Sequence, residues 1–185
     1  MQPPPLPRML ADLDGVLAEI RTVFAAMPVG TMDTLTTELL GAGRIFVYGV
    51  GRNGLVLQAF AMRLMHLGLD GHFVGQLNAP PAAPGDIVLV AMALGSLPTA
   101  DAVLASAKAA GARTLVITAR PDRAVADVVL TLPAQTMADP MTSLLPLGSP
   151  FELSLAVLCD LAVVALMRCL GHANADLARR HTNLL

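Results

Sequence analysis

The sequence predicts an α/β protein, a three-layer α/β/α sandwich around a five-stranded parallel sheet. Short apolar runs alternate along the chain with segments of helical periodicity, which is the pattern of repeated strand–helix units. Most of these runs are apolar at every position, as in strands covered on both faces. A length of 185 residues is typical of a single domain with a single core.

The elements follow in order along the chain. Strands are predicted at 44–49, 71–75, 86–92, 113–119 and 127–133, where the apolar runs lie. Helices are predicted at 9–27, 32–40, 53–67, 98–110, 150–170 and 174–183. The first helix has apolar residues at helical spacing, namely Leu10, Leu13, Leu17, Ile20 and Phe24. The glycines at 41 and 43 end the second helix, and the segment 98–110 is rich in alanine.

The composition indicates extra buried apolar surface. Apolar residues make up 55% of the chain and aromatic residues 3%, so the core is aliphatic and larger than an ordinary monomer needs. Either subunits bury this surface between them, or the segment 153–170 crosses a membrane. Asp160 lies near the middle of that segment, and a charge at a bilayer centre costs about 2.5–3.5 kcal/mol. We therefore expect a buried helix in a homo-oligomer and no membrane partner.

The net charge, the N-terminal segment and the cysteines argue against a nucleic-acid-binding protein, a signal peptide and a disulfide. A formal net charge of −2, without a basic stripe, predicts no nucleic-acid partner. Residues 1–8 read as a proline-rich arm without the apolar stretch of a signal peptide, ahead of one domain at 9–185. Cys159 and Cys169 fall on one predicted helix, about 15 Å apart and too far for a disulfide. Reduced core cysteines and a cytoplasmic location are the expectation.

A glycine loop follows the first predicted strand. Gly49, Gly51 and Gly54 have the G-x-G-x-x-G spacing of dinucleotide-binding turns. Such sites need an acidic residue at the end of the second strand, but the chain continues there as VGQLNAP, and Asp70 precedes the strand. Arg52 instead favours a smaller anion bound at a helix N-terminus. A turn that needs glycine only for its backbone angles stays the alternative.

Three segments resemble a known family. IFVYGVGRNGLVLQAFAMRLMHLG at 45–68 and LPLGSPFELSLAVLCDLAVVALM at 145–167 are similar to the sugar isomerase (SIS) domain. The closing DLARRHTNLL at 176–185 resembles the last helix of the 6-phospho-3-hexuloisomerases within that family. The resemblance extends from about residue 8 to the end of the chain.

The resemblance implies a flavodoxin-like fold and a homo-oligomer, a tetramer or dimer of dimers, without metal or organic cofactor. It implies a sugar-phosphate isomerase of the ribulose monophosphate pathway, which interconverts 3-hexulose 6-phosphate and fructose 6-phosphate through an enediol. Glu152 would be the base, and His181 would assist as acid or base from a neighbouring subunit. The implied substrate-binding residues are Gly51, Arg52, Asn53, Gly95, Ser96 and Thr99.

Several of these residues have a plain structural alternative. Ser149 to Glu152 also fits a capping box, with serine as N-cap and glutamate at the third helical position. His181 could be a solvated residue of a terminal helix, and His66 a core or interface histidine. His72 and His172 have no partner that the sequence identifies.

The loop after the third strand departs from the family. SIS domains usually read Ser-Gly-Ser-Gly-Glu-Thr here and hold the sugar phosphate with the hydroxyls. This chain has Met92 and Leu94 at the serine positions and Leu97 at the threonine. Asp101, in the first turn of the next helix, is expected to repel a phosphate dianion. An SIS domain that binds a sugar phosphate without turnover is therefore the alternative function.

Overall fold

The computed structural model describes residues 6–184. The helices are α1 Leu6–Ala25, α2 Thr31–Gly41, α3 Arg52–His66, α4 Pro98–Ala109, α5 Ser149–Leu170 and α6 Asn174–Ala178. The strands are β1 Ile45–Gly49, β2 Gly71–Phe73, β3 Ile87–Ala91, β4 Arg113–Thr118 and β5 Val128–Thr131. A short 3-10 turn, Pro121–Arg123, lies between β4 and β5. Every predicted helix and strand is present.

The five strands form one parallel sheet in the order β2-β1-β3-β4-β5. Val47 of β1 lies opposite Phe73 of β2 on one side and Leu89 of β3 on the other. The chain therefore leaves β1 toward one edge of the sheet and returns to build the other edge. Loops at the carboxyl ends of β1 and β3 diverge at this reversal and leave a crevice, where ligands of such folds bind. The predicted flavodoxin-like fold is confirmed.

The two faces of the sheet are covered unequally. Helices α2, α3 and α5 enclose the larger core on one face, and α1 packs outside against α5. On the other face α4 packs alone over β1, β3 and β4, and Phe46, Val90 and Leu104 belong to that smaller core. This inequality places α3 and α5 side by side, and both begin near the carboxyl end of the sheet.

Helix α5 carries much of the larger core. Phe151, Leu155 and Leu166 are fully buried in it. Over residues 6–184, α5 is the one helix long and apolar enough to cross a membrane, with a mean hydropathy of 2.2. The core helix of a soluble protein meets the same length and composition criteria. In this fold α5 packs against α1, α2 and α3.

The ends of the chain differ from the prediction. Helix α1 begins at Leu6, so residues 6–8 of the predicted arm are helical, while residues 1–5 lie outside the described part. Helix α6 ends at Ala178, five residues before the predicted end at 183. Side-chain contacts with α3 hold the residues that follow. Cys159 and Cys169 are both free, but only Cys159 is a core residue, because Cys169 is exposed.

A buried aspartate joins the amino ends of β1 and β3. Asp86 accepts hydrogen bonds from the backbone N–H and Nε of Arg44, both at 3.1 Å, and from the N–H of Ala83 at 2.8 Å. The oxygen that accepts from Ala83, Oδ2, also lies 2.8 Å from Arg44 Nη2. Burial opposes ionisation of this carboxyl, but the hydrogen bonds and the arginine charge outweigh it, so the pKa of Asp86 lies below its ordinary value.

We predict that Asp86→Asn lowers the free energy of unfolding by about 2–3 kcal/mol at neutral pH, because Arg44 loses its charged partner. The pKa is lower in the folded than in the unfolded chain. The stabilisation is thus present above the ordinary carboxyl pKa and lost as pH falls through the folded value. Urea unfolding at several pH values measures both effects. Asp12→Asn, at an exposed position of α1, is the control, and equal acid sensitivity of wild type and Asp86→Asn would contradict the assignment.

Candidate active site

A cavity of about 310 Å³ lies in the crevice between the carboxyl ends of β1 and β3. Its polar side chains are Asn53, Ser96 and Glu152, which come from three separate parts of the chain. The rest of its wall is mainly apolar and includes Val50, Met92, Leu94, Leu97, Met137 and Leu147. The position is the one that the strand order predicts, and the polar residues are among those the family resemblance assigned.

The glycine loop shapes one side of this cavity. Gly51 has φ 62 and ψ −135, a conformation that side chains disfavour, and it is the N-cap of α3. A Cβ at position 54 would overlap the carbonyl oxygen of Gly49. Helix α3 therefore starts directly on β1, as the turn interpretation requires. The glycines bring Asn53 to the cavity wall and place Arg52 beside Glu152.

An ion pair fixes Glu152 at the start of α5. Nη1 of Arg52 lies 2.9 Å from Oε2 of Glu152 and also donates a hydrogen bond of 2.8 Å to Oγ of Ser149. The Glu152 side chain is 20% exposed, so its carboxylate remains open to the cavity. Arg52 thus holds a carboxylate of its own chain, in addition to lying beside the glycine turn where a ligand anion was expected.

The capping-box interpretation of Ser149 and Glu152 is wrong. The N-cap of α5 is Gly148, no side chain caps the helix, and Ser149 is already its first residue. The Ser149 hydroxyl instead accepts the hydrogen bond from Arg52, and Glu152 turns to the same guanidinium. The glutamate at this position therefore has no capping role.

Asn53 presents an unused acceptor. Its Oδ1 atom is buried and has no hydrogen-bond partner within the part of the chain that the structure describes. Buried polar atoms almost always have a hydrogen-bond partner, so an unpaired oxygen beside a cavity is unusual. A hydroxyl group of a ligand would satisfy this oxygen.

The loop after β3 forms the apolar side of the cavity. Met92, Leu94 and Leu97 all line it, at the positions where the family usually has hydroxyls. Ser96 keeps a hydroxyl at the wall, but that hydroxyl donates to Oδ2 of Asp101 at 2.7 Å. Thr99 is exposed and does not line the cavity, so the structure does not bring this predicted residue to the site.

Sequence reasoning missed two residues at the cavity rim. Met137 and Leu147 line the opening from the segment before α5, and Leu147 has φ 56, the only positive value at a non-glycine residue among 6–184. An ion pair of Asp139 with Arg120 and its hydrogen bonds from Thr136 hold this segment. The irregular segment has no periodicity that would signal Met137, whereas Leu147 lies within the segment 145–167 that resembles the family.

Other cavities and side-chain clusters of the fold have fewer polar and titratable groups. A larger cavity of about 510 Å³ beside α4 is lined almost entirely by apolar and glycine residues, with Ser106 as its one side-chain hydroxyl. His72 stacks on Phe46, and its Nε2 lies 2.9 Å from Asp70. Among residues 6–184 no three His, Cys, Asp or Glu side chains are grouped as a metal site.

Comparison with known proteins identifies the family. No protein-family model matches the chain. It is 34% identical to the 3-hexulose-6-phosphate isomerase of Mycobacterium gastri over 178 residues, covering 94% of this chain and 89% of that protein. It is 30% identical to the enzyme of the same name from Bacillus subtilis over 175 residues, covering 91% and 95%. The chain belongs to the 3-hexulose-6-phosphate isomerase family.

Solved structures agree with this family. A Methanococcus jannaschii crystal structure, from which a 3-hexulose-6-phosphate isomerase function was inferred, has a TM-score of 0.82 and 28% identity, covering 95% of this chain and 99% of that one. An Escherichia coli CFT073 protein in complex with A5P has a TM-score of 0.79 and 22% identity, covering 98% and 100%. At that identity the second comparison shows only a shared fold.

The histidine assigned from this isomerase family lies apart from the cavity. The exposed ring of His181 stacks on His66, with ring centroids 5.1 Å apart, and Nη1 of Arg180 donates to the His66 carbonyl at 3.4 Å. His66 ends α3, whereas Glu152 contacts Arg52 at its start, roughly 21 Å away at about 1.5 Å per residue. A single chain therefore does not unite His181 with Glu152.

His66 is the buried histidine that the sequence allowed for. It is 3% exposed. Burial lowers the pKa of its imidazole, and the nearby His181 and Arg63 lower it further. Protonation of His66 is therefore disfavoured in the folded chain.

We predict that His181→Ala raises the pKa of His66 toward the ordinary histidine value. The substitution removes a charge that opposes protonation and uncovers the ring. Titration of the histidine ring protons by NMR measures the change, and His172→Ala is the matched control that should leave His66 unmoved. An unchanged His66 titration in His181→Ala would show that the stacked arrangement does not persist in solution.

Proposed function

We propose that this protein interconverts 3-hexulose 6-phosphate and fructose 6-phosphate, with the Glu152 carboxylate as the base. The observation that carries the proposal is the position of Glu152 in the cavity between β1 and β3, held at 2.9 Å by Arg52 and facing Asn53 and Ser96. Membership of the 3-hexulose-6-phosphate isomerase family supports the same reaction. Glu152 makes no capping hydrogen bond at the start of α5, so a capping box does not account for it.

The reaction moves one proton between neighbouring carbons. Glu152 would take the proton from C2 of the 3-ketose, and the electron pair would form a C2–C3 double bond as O3 gains a proton. Return of the proton to C3 of this enediol, with loss of the proton on O2, gives the 2-ketose. One carboxylate can serve both steps because C2 and C3 are adjacent.

Arg52 and Asn53 suit the supporting roles. The Arg52 guanidinium keeps the Glu152 carboxylate in place, and it would stabilise negative charge on the enediolate oxygens. Asn53, with its unpartnered Oδ1, would accept a hydrogen bond from a substrate hydroxyl. The backbone of Gly51 and Gly95 gives the turns that present these groups. Ser96 is the one hydroxyl of the loop after β3 that reaches the wall.

Binding without turnover is the weaker candidate. Its support is the set of apolar side chains on the loop after β3, since Met92, Leu94 and Leu97 remove the usual phosphate contacts. Those residues would affect the binding of the substrate's phosphate group. The base and its arginine partner lie on the opposite wall and are intact.

We also propose that the active form is a homo-oligomer, a tetramer or dimer of dimers, in which His181 of one copy serves the cavity of another. Several apolar side chains stay exposed on three neighbouring helices, and a second copy would bury them: Leu10, Leu13, Leu17, Leu55, Met62, Leu161 and Val164.

Two free cysteines, one of them exposed, fit a reducing compartment such as the cytoplasm.

We predict that Glu152→Gln lowers kcat by at least about 100-fold, because the amide cannot accept the proton. Fructose 6-phosphate should still bind, as calorimetry would show. Glu38→Gln is the matched control, since Glu38 also pairs with an arginine, Arg113, but at the amino end of the sheet. Equal isomerase activity in Glu152→Gln and wild type would refute the assignment of the base.

We predict that co-expressed Glu152→Gln and His181→Ala chains recover activity that each variant lacks alone. In a hybrid oligomer, one cavity would combine an intact Glu152 with an intact His181 from the other copy. Two affinity tags isolate the hybrids, light scattering gives their size, and hybrids of two Glu152→Gln chains are the control. Inactive hybrids, or a monomer in light scattering, would overturn the exchange of His181 between copies.

A further inference from the structure

A groove of about 450 Å³ is lined by the neighbouring helices α3 and α5. Its lining is mainly apolar, and its two charged side chains are Arg63 of α3 and Asp160 of α5. Directly after Asp160, the apolar side chains of Leu161 and Val164 are 44% and 40% exposed. Exposed apolar side chains gathered around a groove are typical of a surface that another molecule covers.

The two charges of the groove make the surface complementary to itself. Neither Arg63 nor Asp160 forms an ion pair with any group within residues 6–184. A two-fold axis through such a surface places the cation of each copy against the anion of the other. The charge pattern therefore suits a second copy of this chain as the partner.

One face of α3 connects the groove to both ends of the helix. Five residues share this face because they follow each other at spacings of three and four: Arg52, Val56, Ala59, Arg63 and His66. Arg52 at its start contacts Glu152, and His66 at its end stacks on His181. The groove lies between these two contacts, where the middle three residues line it. The same face thus extends from the proposed base to the proposed assisting histidine.

Antiparallel packing of two α3 helices would bring these two ends together. The midpoint of α3, which runs from Arg52 to His66, is Ala59, an exposed residue with a short side chain. A two-fold axis at Ala59 sets residue 66 of one copy level with residue 52 of the other. Packed helix axes are about 8–10 Å apart, so the long separation along α3 within one chain is replaced by a short one between copies.

We propose that a second copy of this chain docks in the groove with its α3 antiparallel, the two-fold axis near Ala59 and Arg63 of each copy paired with Asp160 of the other. Asp160 lies eight residues past Glu152, which contacts Arg52 at the start of α3, so it is near the level of the axis. Arg63 is four residues, about 6 Å, past the axis, a distance that its side chain spans. This interface would carry the exchange of histidines between copies, and its role in activity rests on the proposed function.

Charge reversal across the groove tests the pairing without reference to activity. Arg63→Asp or Asp160→Arg alone should halve the molar mass in light scattering, because like charges would then face each other. The double variant Arg63→Asp/Asp160→Arg should regain the wild-type mass. Lys108→Asp, at an exposed position of α4 on the opposite face of the sheet, is the matched control and should keep that mass. Circular dichroism checks that each variant is folded.

An engineered disulfide tests the position of the axis. In a Cys169→Ser background the remaining native thiol, Cys159, is buried. Ala59→Cys should then give a covalent dimer on oxidation, because a residue beside a two-fold axis lies next to its own counterpart. Met65→Cys is the control, since position 65 is exposed on another side of α3 and should give no covalent dimer.

Isomerase assays on the same variants separate this inference from the proposed function. In each single charge variant kcat should fall at least about ten-fold together with the mass, and the double variant should regain both. If the masses and the disulfide behave as expected but wild type has no isomerase activity, the interface stands and the isomerase proposal fails. An unchanged mass in both single charge variants, or no covalent dimer of Ala59→Cys, would overturn the interface. So would a wild-type protein that is monomeric, whether free or bound to lipid vesicles.

Discussion

The contact between Gly49 and Gly54 sets the geometry on which the site depends. Position 54 has room for a hydrogen atom alone over the Gly49 carbonyl, so α3 starts directly at the end of β1. That start places Asn53 in the crevice where the strand order reverses, and Arg52 beside Glu152. The same glycine spacing suits a dinucleotide, but here the turn presents a guanidinium and an amide.

The Arg52–Glu152 ion pair then joins two helices that are far apart in sequence. Arg52 begins α3, and its partners Ser149 and Glu152 lie in the first turn of α5. Ser149 comes 97 positions after Arg52 in the sequence. The pair is partly buried and shares its guanidinium with Ser149, so the carboxylate has little freedom. A carboxylate held in this way beside the unpartnered Oδ1 of Asn53 suits the proposed reaction on a polyhydroxy carbonyl compound.

The loop after β3 shows how a family site can change on one side and persist on the other. Its side chains toward the cavity are apolar, and its remaining hydroxyl is engaged by Asp101. The neighbouring segment after β4 packs on Gly95 and brings Arg123 to the far side of Ser96. The loop after β3 is thus apolar toward the cavity, while the opposite wall keeps Glu152 with its arginine partner.

The sequence by itself determined the element order, the parallel sheet and the position of Glu152, Arg52 and Asn53, because apolar runs, helical spacing and the family's motifs are local signals. Only the tertiary structure decided that Ser149 is not a cap, that Thr99 lies outside the cavity and that Met137 lines it. The reason is physical. Which atoms a side chain contacts depends on the packing of segments distant in sequence, and irregular loops have no periodicity from which that packing could be predicted.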